Sequence, residues 1–471
     1  MKILLSGATG LVGQELGLEL ARRGHNLHVL TRNPERHAGL LSFPATLFRW
    51  DASREGPPAE AFAGVDAVVH LAGESIASAR WTTERQREIL DSRVIGTRHL
   101  VAGIRQHGTQ VRTFVSASAV GIYGDQGDTV LEEGAPTIPG STEKAASAVE
   151  FLAGVCQQWE QAATQGLSEQ VRSVIVRIGI VLSSQGGALA EMLPLFRSGV
   201  GGALGSGRQW MSVIHVRDLA RLMATALEDS RYQGVFNGVG PEPVTNSELT
   251  HALAGAVGKT PFLKTPATAL RLALGGMAQA VLSSQRVVPR RAQELGFSFE
   301  FGTLKQALTE ILGAFEGAAS ASDEVLVMRQ WIPAPLSQVF EFFSSAHNLE
   351  RITPPWLNFE VLTHADHKIE AGSLIDYRLR IHGVPVRWRT LIESWDPPRS
   401  FVDTQLKGPY SKWHHTHTFE PLASGVLIED RVRYRVPLAA LGRVVAGAWV
   451  RRDVQQIFDY RKKVIREIFS R

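Results

Sequence analysis

The chain has 471 residues, more than one hydrophobic core usually supports, so two or three domains are expected. With 44% hydrophobic and 20% charged residues it has the make-up of a globular protein, which excludes fibrous and disordered classes. The formal charge of +4 falls within residues 322–471, where 21 Lys and Arg face 17 Asp and Glu, and no basic stripe is clustered enough to call for a nucleic-acid partner. Cys156 is the single cysteine, so no disulfide can close within one chain, in keeping with a reducing, cytoplasmic setting.

The opening MKILLSGATG reads as a first strand, because Gly7, Gly10 and Gly13 interrupt the apolar run too early for a signal peptide. Further strand-like runs at Leu27–Leu30, Val65–Leu71, Val111–Ser116 and Val174–Ile178 alternate with helical stretches, the βαβ rhythm of a doubly wound parallel sheet. Between the first strand and its helix lies Gly7-Ala8-Thr9-Gly10-Leu11-Val12-Gly13. In a strand–turn–helix context this pattern predicts a dinucleotide site. Gly7 permits the tight turn, Gly10 lets backbone approach a pyrophosphate, Gly13 lets helix and strand pack closely, and the helix N-terminus supplies amide donors. The second strand ends at Thr31-Arg32, where an NAD-specific protein presents a carboxylate to the ribose. A guanidinium there suits a 2′-phosphate, so the expected cofactor is NADP(H).

The most apolar later stretches, Leu270–Leu282 and Leu438–Val450, fall short of the roughly 18–20 residues a membrane span needs, and no span is predicted. After about Leu312 comes GAFEGAASASDE, small and polar without apolar periodicity. This sets a cofactor-binding domain at 1–312, with a small lobe from about 240, a linker at 313–323, and a second domain at 324–471. In that second domain Tyr377, Leu379 and Ile381 alternate with basic neighbours, Trp413, His415, His417 and Phe419 share a face, and Val426, Ile428, Val432, Tyr434 and Val436 alternate with charged residues. These are half-buried antiparallel strands. Val454, Ile457, Phe458, Arg461, Val464, Ile465 and Ile468 then follow helical spacing. A curved sheet gripping a long terminal helix satisfies both patterns. His414, His415 and His417 tempt a metal reading, but no Cys or carboxylate is spaced along the chain to complete a site, and none is expected.

GATGLVG, HLAGE (His70–Glu74), SASAVGIYG (Ser116–Gly124), GGALGSGRQW (Gly201–Trp210), WMSVIHVRDLA (Trp210–Ala220) and RRAQELGFSFEFGTLKQAL (Arg290–Leu308) together resemble the extended short-chain dehydrogenase/reductase superfamily. Within it, residues 1–312 are similar to the atypical epimerase family often labelled cell-division-inhibitor-like. The resemblance implies that Leu71, Ala72 and Gly73 pass along the adenosine and ribose, and that Ser116 belongs to the cofactor-binding set. Asp51 falls at a position that often touches adenine, with a helix N-cap as the alternative. Glu88 and Arg93 are implied to contact cofactor, and Val181 to border the nicotinamide end. Residues 324–471, through WIPAPLSQVFEFFSSAHNLERITPPW (Trp331–Trp356), the aromatic strands and the closing helix, resemble the START-like and polyketide cyclase-like helix-grip (SRPBCC) fold, an α+β architecture that encloses an apolar cavity.

The superfamily's Tyr-x-x-x-Lys pair is missing. With Glu160 in register, Leu152 and Cys156 stand at the usual positions, and a shift by one offers Phe151 and Val155. Ser118 matches the catalytic serine, which orients a substrate oxygen, with a strand-end serine bonding backbone as the alternative. Tyr123 is the only nearby phenol, and without a lysine it ionises near ~10, so a donor role is easier than a base role. A lone Cys156 on an apolar helix reads as a small buried hydrophobe. His215 and Asp218 read as structural, Asp218 satisfying amides at a helix start. Two functions remain open: an NADP(H)-dependent oxidoreductase or epimerase acting on a small molecule, and a non-catalytic NADP(H) sensor or carrier of an apolar ligand.

Overall fold

In the computed structural model, residues 1–77, 79–143, 146–261, 263–312, 323–363, 369–436 and 440–469 are described, with backbone alone for 440–448. The expected linker, apart from Asp323, lies outside them. The chain folds as two compact units.

The first unit is built on a seven-stranded parallel sheet of β1 (Lys2–Ser6), β2 (Asn26–Thr31), β3 (Thr46–Arg49), β4 (Ala67–His70), β5 (Thr113–Ala119), β6 (Arg172–Ile178) and β7 (Gly234–Gly238). Strands buried on both faces need continuous apolar runs, and Ile3, Leu4 and Leu5 are fully buried, as are Val68 and Val69. The crossovers include α1 (Leu11–Arg22), α2 (Thr83–His107), α3 (Ala148–Thr164) and α4 (Val216–Glu228). Sheet order is β7-β6-β5-β4-β1-β2-β3. Chain direction across the sheet therefore reverses between β1 and β4, and the crevice outside their carboxyl ends is where open α/β sheets bind ligands. Thr82 caps α2, and a Ser147–Glu150 capping box starts α3. The smaller lobe is held by helices Asn246–Ala256 and Leu304–Leu312, whose Leu253, Leu308 and Ile311 share a core with Leu189, Leu193 and Phe196.

The second unit is an antiparallel sheet of β8 (Glu324–Ile332), β9 (Glu360–Val361), β10 (Leu374–Ile381), β11 (Val384–Asp396), β12 (Ser400–Lys407), β13 (Lys412–Leu422) and β14 (Gly425–Arg435). Its order is β8-β14-β13-β12-β11-β10-β9. Helix α5 (Leu336–Phe343) and the terminal α6 (Ala440–Phe469) pack on the inner face, where Phe340, Phe343, Phe401, Phe419 and Ile465 form one cluster and Val432, Tyr434, Val454 and Phe458 another. Period-two alternation in the strands and helical spacing in α6 thus meet across one core. Among the described residues no helix is long and apolar enough to cross a membrane.

Candidate functional site

The turn after β1 is constrained by backbone. Gly7 has φ +76°, and a Cβ there would stand 2.6 Å from the carbonyl carbon of Leu71 and 2.8 Å from the Ala72 nitrogen. A Cβ on Gly13 would come within 2.1 Å of the Gly7 carbonyl oxygen. Gly10 differs: its Cβ would meet only the Gly7 oxygen, at 3.4 Å, so its outer side is open. Gly10 is also the N-cap of α1 and brings no side-chain acceptor to the helix amides. Thr9 and Gly10 are exposed, and Leu11 and Val12 half-buried. No N-cap side chain therefore competes with an anion for the amides at this helix start, which is the fit a pyrophosphate requires. Leu11 reaches Gly186 and Gly187, and Gly187 neighbours the Val181 carbonyl. This brings Val181 near the turn.

Arg32 follows β2, with its side chain 74% exposed and a loose 3.8 Å contact to Glu74. Thr31 beside it is buried, its hydroxyl bonded to His37. Glu74, which the sequence reading passed over, stands between Arg32 and Arg85, the latter at 3.6 Å. Arg85 also pairs with Glu88 at 2.7 Å. The half-buried Arg93 guanidinium donates to the carbonyls of Glu74 (3.0 Å) and Ile89 (3.1 Å) and lies over the Trp159 ring. It braces the loop carrying Leu71, Ala72 and Gly73. The N-cap alternative for Asp51 is corrected: no helix follows, and the carboxylate accepts from the Ser53 hydroxyl and amide inside a turn, which holds it below its usual range together with Arg54. Below the loop, His70 joins Ser6 (2.7 Å) to Thr97 (2.9 Å), and burial pushes its pKa down to about 3, so it stays neutral.

At the end of β5 the expected serine is tied to a carboxylate rather than to backbone. Ser118 Oγ donates to Glu160 Oε1 at 2.7 Å, and Glu160 is held bidentately by Arg177 at 2.9 Å and 2.9 Å. The Arg177 Nη1 donates to the Tyr123 hydroxyl at 3.0 Å, and that hydroxyl donates to Asn237 Oδ1 at 2.9 Å. Tyr123 is fully buried, and burial pushes its phenol above the ordinary value despite Arg177. Its inward bonds make it a support for Arg177. Cys156 and Leu152 precede Glu160 on one face of α3. The Cys156 thiol is buried and raised to about 11, in keeping with an inert packing residue. Ser116 is fully buried one strand turn earlier. Glu160 and Arg177 are the residues that sequence reasoning missed as a pair. The available signal was Arg177 itself, a charge inside the buried run Val174-Ile175-Val176-Arg177-Ile178 that demands a partner.

His215 and Asp218 are structural, by a longer reach than expected. His215 Nδ1 accepts from the Arg217 amide at 3.1 Å, capping α4, and its Nε2 meets Glu310 at 3.0 Å. Asp218 does not serve its own helix start. It accepts from the amides of Glu300 and Phe301, both at 2.8 Å, and from Arg221, tying α4 to the lobe.

In the second unit, the sheet and α6 border a partly open cavity of about 920 Å³, lined by Phe343, Tyr377, Leu379, Trp388 and Trp395 among others. Its size and apolar wall suit a hydrophobic ligand. Along its lining the expectation that no carboxylate joins His415 and His417 is corrected. Cross-strand pairing sets Asp403 of β12 opposite His415, and Asp430 of β14 opposite His417. Chain spacing hides this, because the four residues come from three strands.

A parallel sheet with an open glycine turn at its reversal point, joined to an antiparallel sheet gripping a helix, defines a dinucleotide-binding fold carrying a ligand-cavity module. Residues 3–237 match the NAD dependent epimerase/dehydratase family, 265–311 a domain of unknown function, and 332–459 the polyketide cyclase/dehydrase and lipid transport family. The chain is 39% identical over 315 residues to the chloroplastic epimerase family protein SDR39U1 homolog of Arabidopsis thaliana, covering 66% of this chain and 87% of that one. The human epimerase family protein SDR39U1, solved with NADPH, superposes with a TM-score of 0.57 at 33% identity over 66% of this chain and 99% of its own. A nucleoside-diphosphate sugar epimerase from Corynebacterium glutamicum gives 0.52 at 31% identity over 67% and 58%. The protein belongs to the NAD dependent epimerase/dehydratase family and bears a polyketide cyclase-like C-terminal domain.

Proposed function

We propose that the chain is an NADPH-binding protein of oxidoreductase/epimerase type whose appended domain takes an apolar ligand. Residues 1–312 form the cofactor module, 313–323 the linker and 324–471 the ligand module. The observation that carries this reading is the uncapped start of α1 under an open Gly10, with the Arg32 guanidinium exposed at the end of the next strand. Gly7, Thr9, Gly10, Leu11, Val12 and Gly13 would cradle the phosphates, and Thr31 and Arg32 the 2′-phosphate end. Asp51, Leu71, Ala72 and Gly73 would border adenine and ribose, with Glu88, Arg93, Ser116 and Val181 completing the groove. The human relative's structure with NADPH supports the phosphorylated form. The single cysteine supports a cytoplasmic setting.

When bound, the cofactor would supply a hydride at its nicotinamide end. Ser118 would then orient a substrate oxygen, with Glu160 fixing the serine hydroxyl, Arg177 fixing Glu160, and Tyr123 supporting Arg177 from behind. One observation favours a second reading, a non-catalytic sensor or carrier: the only nearby phenol is buried, bonded on both sides and raised in pKa. NADPH oxidation across a panel of carbonyls and nucleoside-diphosphate sugars separates the two. Turnover lost in Ser118→Ala supports the enzyme, and tight binding without turnover on any of them supports the sensor.

Fluorescence titration tests the cofactor. NADPH is expected to bind better than NADH, and Arg32→Ala to weaken NADPH by roughly tenfold, about 1.4 kcal/mol, while leaving NADH unchanged, because only one charge-assisted contact at an exposed position is lost. Equal affinity for the two coenzymes would contradict the assignment. For the cavity, an environment-sensitive apolar dye is expected to bind the full chain and to be displaced by a long-chain fatty acid. Absence of binding up to the dye's solubility limit would show the cavity is closed to such ligands.

A further inference from the structure

Asp403, His415 and His417, which line the cavity, place one carboxylate oxygen and two imidazole nitrogens within 4.8 Å of one another. Asp403 Oδ2 lies 3.3 Å from His415 Nδ1 and 3.0 Å from His417 Nε2. A tetrahedral divalent ion with bonds of about 2.0–2.1 Å holds its ligand atoms roughly 3.3 Å apart, so these separations are close to the edges of such a site. From this geometry we propose that Asp403, His415 and His417 bind a divalent transition-metal ion of the zinc class, with its fourth position facing the cavity.

Three further observations carry the assignment. Asp430 stands on the other side of both rings, its Oδ1 3.0 Å from His415 Nε2 and 2.8 Å from His417 Nδ1. The first contact is a hydrogen bond, as is that of His417 Nε2 with Asp403 Oδ2. Each imidazole therefore lies between two carboxylates, Asp403 at one ring nitrogen and Asp430 at the other, a concentration of negative charge that favours a cation. His417 Nδ1 is buried and off the line of any hydrogen bond among the described residues, although Asp430 is near. The outer carboxylate of a metal-bound histidine occupies the place Asp430 holds.

The two ends of the cluster are also distinguished by charge and access. The Arg461 guanidinium, which lies over Phe343 and Phe458, interacts electrostatically with Asp430 and opposes a metal on that side. Asp403, His415 and His417 line the cavity, while Asp430 is set behind them. The ring of His417 is clamped against Phe401, with centroids 4.1 Å apart, and the two imidazoles lie 3.7 Å apart. Three cavity-facing ligands with one open coordination position are the arrangement of a site that takes water or a ligand oxygen.

The test uses the full-length chain stripped with a chelator, dialysed against micromolar zinc chloride, and assayed for metal. About one equivalent is expected, falling at least fivefold in both Asp403→Asn and His417→Gln. Cobalt(II) in place of zinc is expected to give the visible absorption of a four-coordinate ion. No retained zinc in the wild-type chain, or an equivalent retained by both variants, would overturn the site. Should either variant lose its circular-dichroism signature, X-ray absorption at the zinc edge of the loaded wild-type chain decides: two imidazoles with oxygen scatterers support the proposal, and an all-oxygen or sulfur-containing shell defeats it. NADPH binding does not enter either readout.

Discussion

Gly13→Ala is expected to weaken NADPH binding by about a hundredfold or more, equivalent to about 2.7 kcal/mol. The added Cβ would stand 2.1 Å from the Gly7 carbonyl oxygen, 2.7 Å from the Ala8 Cα and 2.8 Å from the Gly7 carbonyl carbon. All three are backbone atoms of the turn that would cradle the phosphates, so no side chain can swing aside. Either the turn opens or α1 moves off β1, and overpacking of this kind costs about 1–3 kcal/mol in stability besides. Gly10→Ala provides the contrast: its Cβ meets only the Gly7 oxygen at 3.4 Å, so folding should survive while a ligand's approach is hindered. Titration of both variants, with thermal melts as the control, reads the two effects apart. Wild-type NADPH affinity in Gly13→Ala would refute the phosphate cradle.

Glu160→Ala is expected to destabilise the first unit by about 3–5 kcal/mol, because it leaves the Arg177 guanidinium buried without its bidentate partner. Both side chains are well shielded, at 15% and 8% exposure, so little of that charge is recovered by water. Freed of Glu160, the guanidinium would retain only the Tyr123 hydroxyl, and Ser118 would lose its acceptor. Glu160→Leu combined with Arg177→Met removes both charges, and denaturant unfolding should show it to be markedly more stable than Glu160→Ala alone. A single variant as stable as the wild type would mean that the pair is solvated in solution. The experiment also bears on function, since a folded double variant that still turns over NADPH would remove Glu160 from any role in orienting Ser118.

How far the sequence could be read depended on the range of the forces involved. The parallel sheet was legible because strands buried on both faces must be continuously apolar, and Ile3–Leu5 and Val174–Val176 announce that locally. The glycine turn was legible for the same reason: Gly7, Gly10 and Gly13 answer to backbone sterics within seven residues. The antiparallel second unit showed its alternation in Val426, Ile428, Val432 and Tyr434. The gap at Asp430, a carboxylate in phase with that buried face, was the visible sign of a polar cluster. It could not name Asp403 or the imidazoles opposite, since register between strands is fixed by the fold.

The roles of single polar residues were the least legible. Asp51 has the look of a cap, yet its carboxylate is used within a turn, because no helix forms before the Ala59–Phe62 segment. Asp218 has the same look and serves amides 82 and 83 residues away. Ser118 was found by position, but its partner Glu160 lies on a helix 42 residues later.

The amino-acid order by itself determined the two architectures, the dinucleotide turn, the basic residue after the second strand and the missing tyrosine–lysine pair. These rest on contacts between chain neighbours or on hydrophobic period. Tertiary structure alone decided that Arg177 is neutralised by Glu160, that Tyr123 faces inward, that Arg93 braces a loop, and that two aspartates from separate strands enclose two histidines. Buried charges and hydrogen-bonding groups must find partners wherever the fold supplies them, and that choice is made in space rather than along the chain.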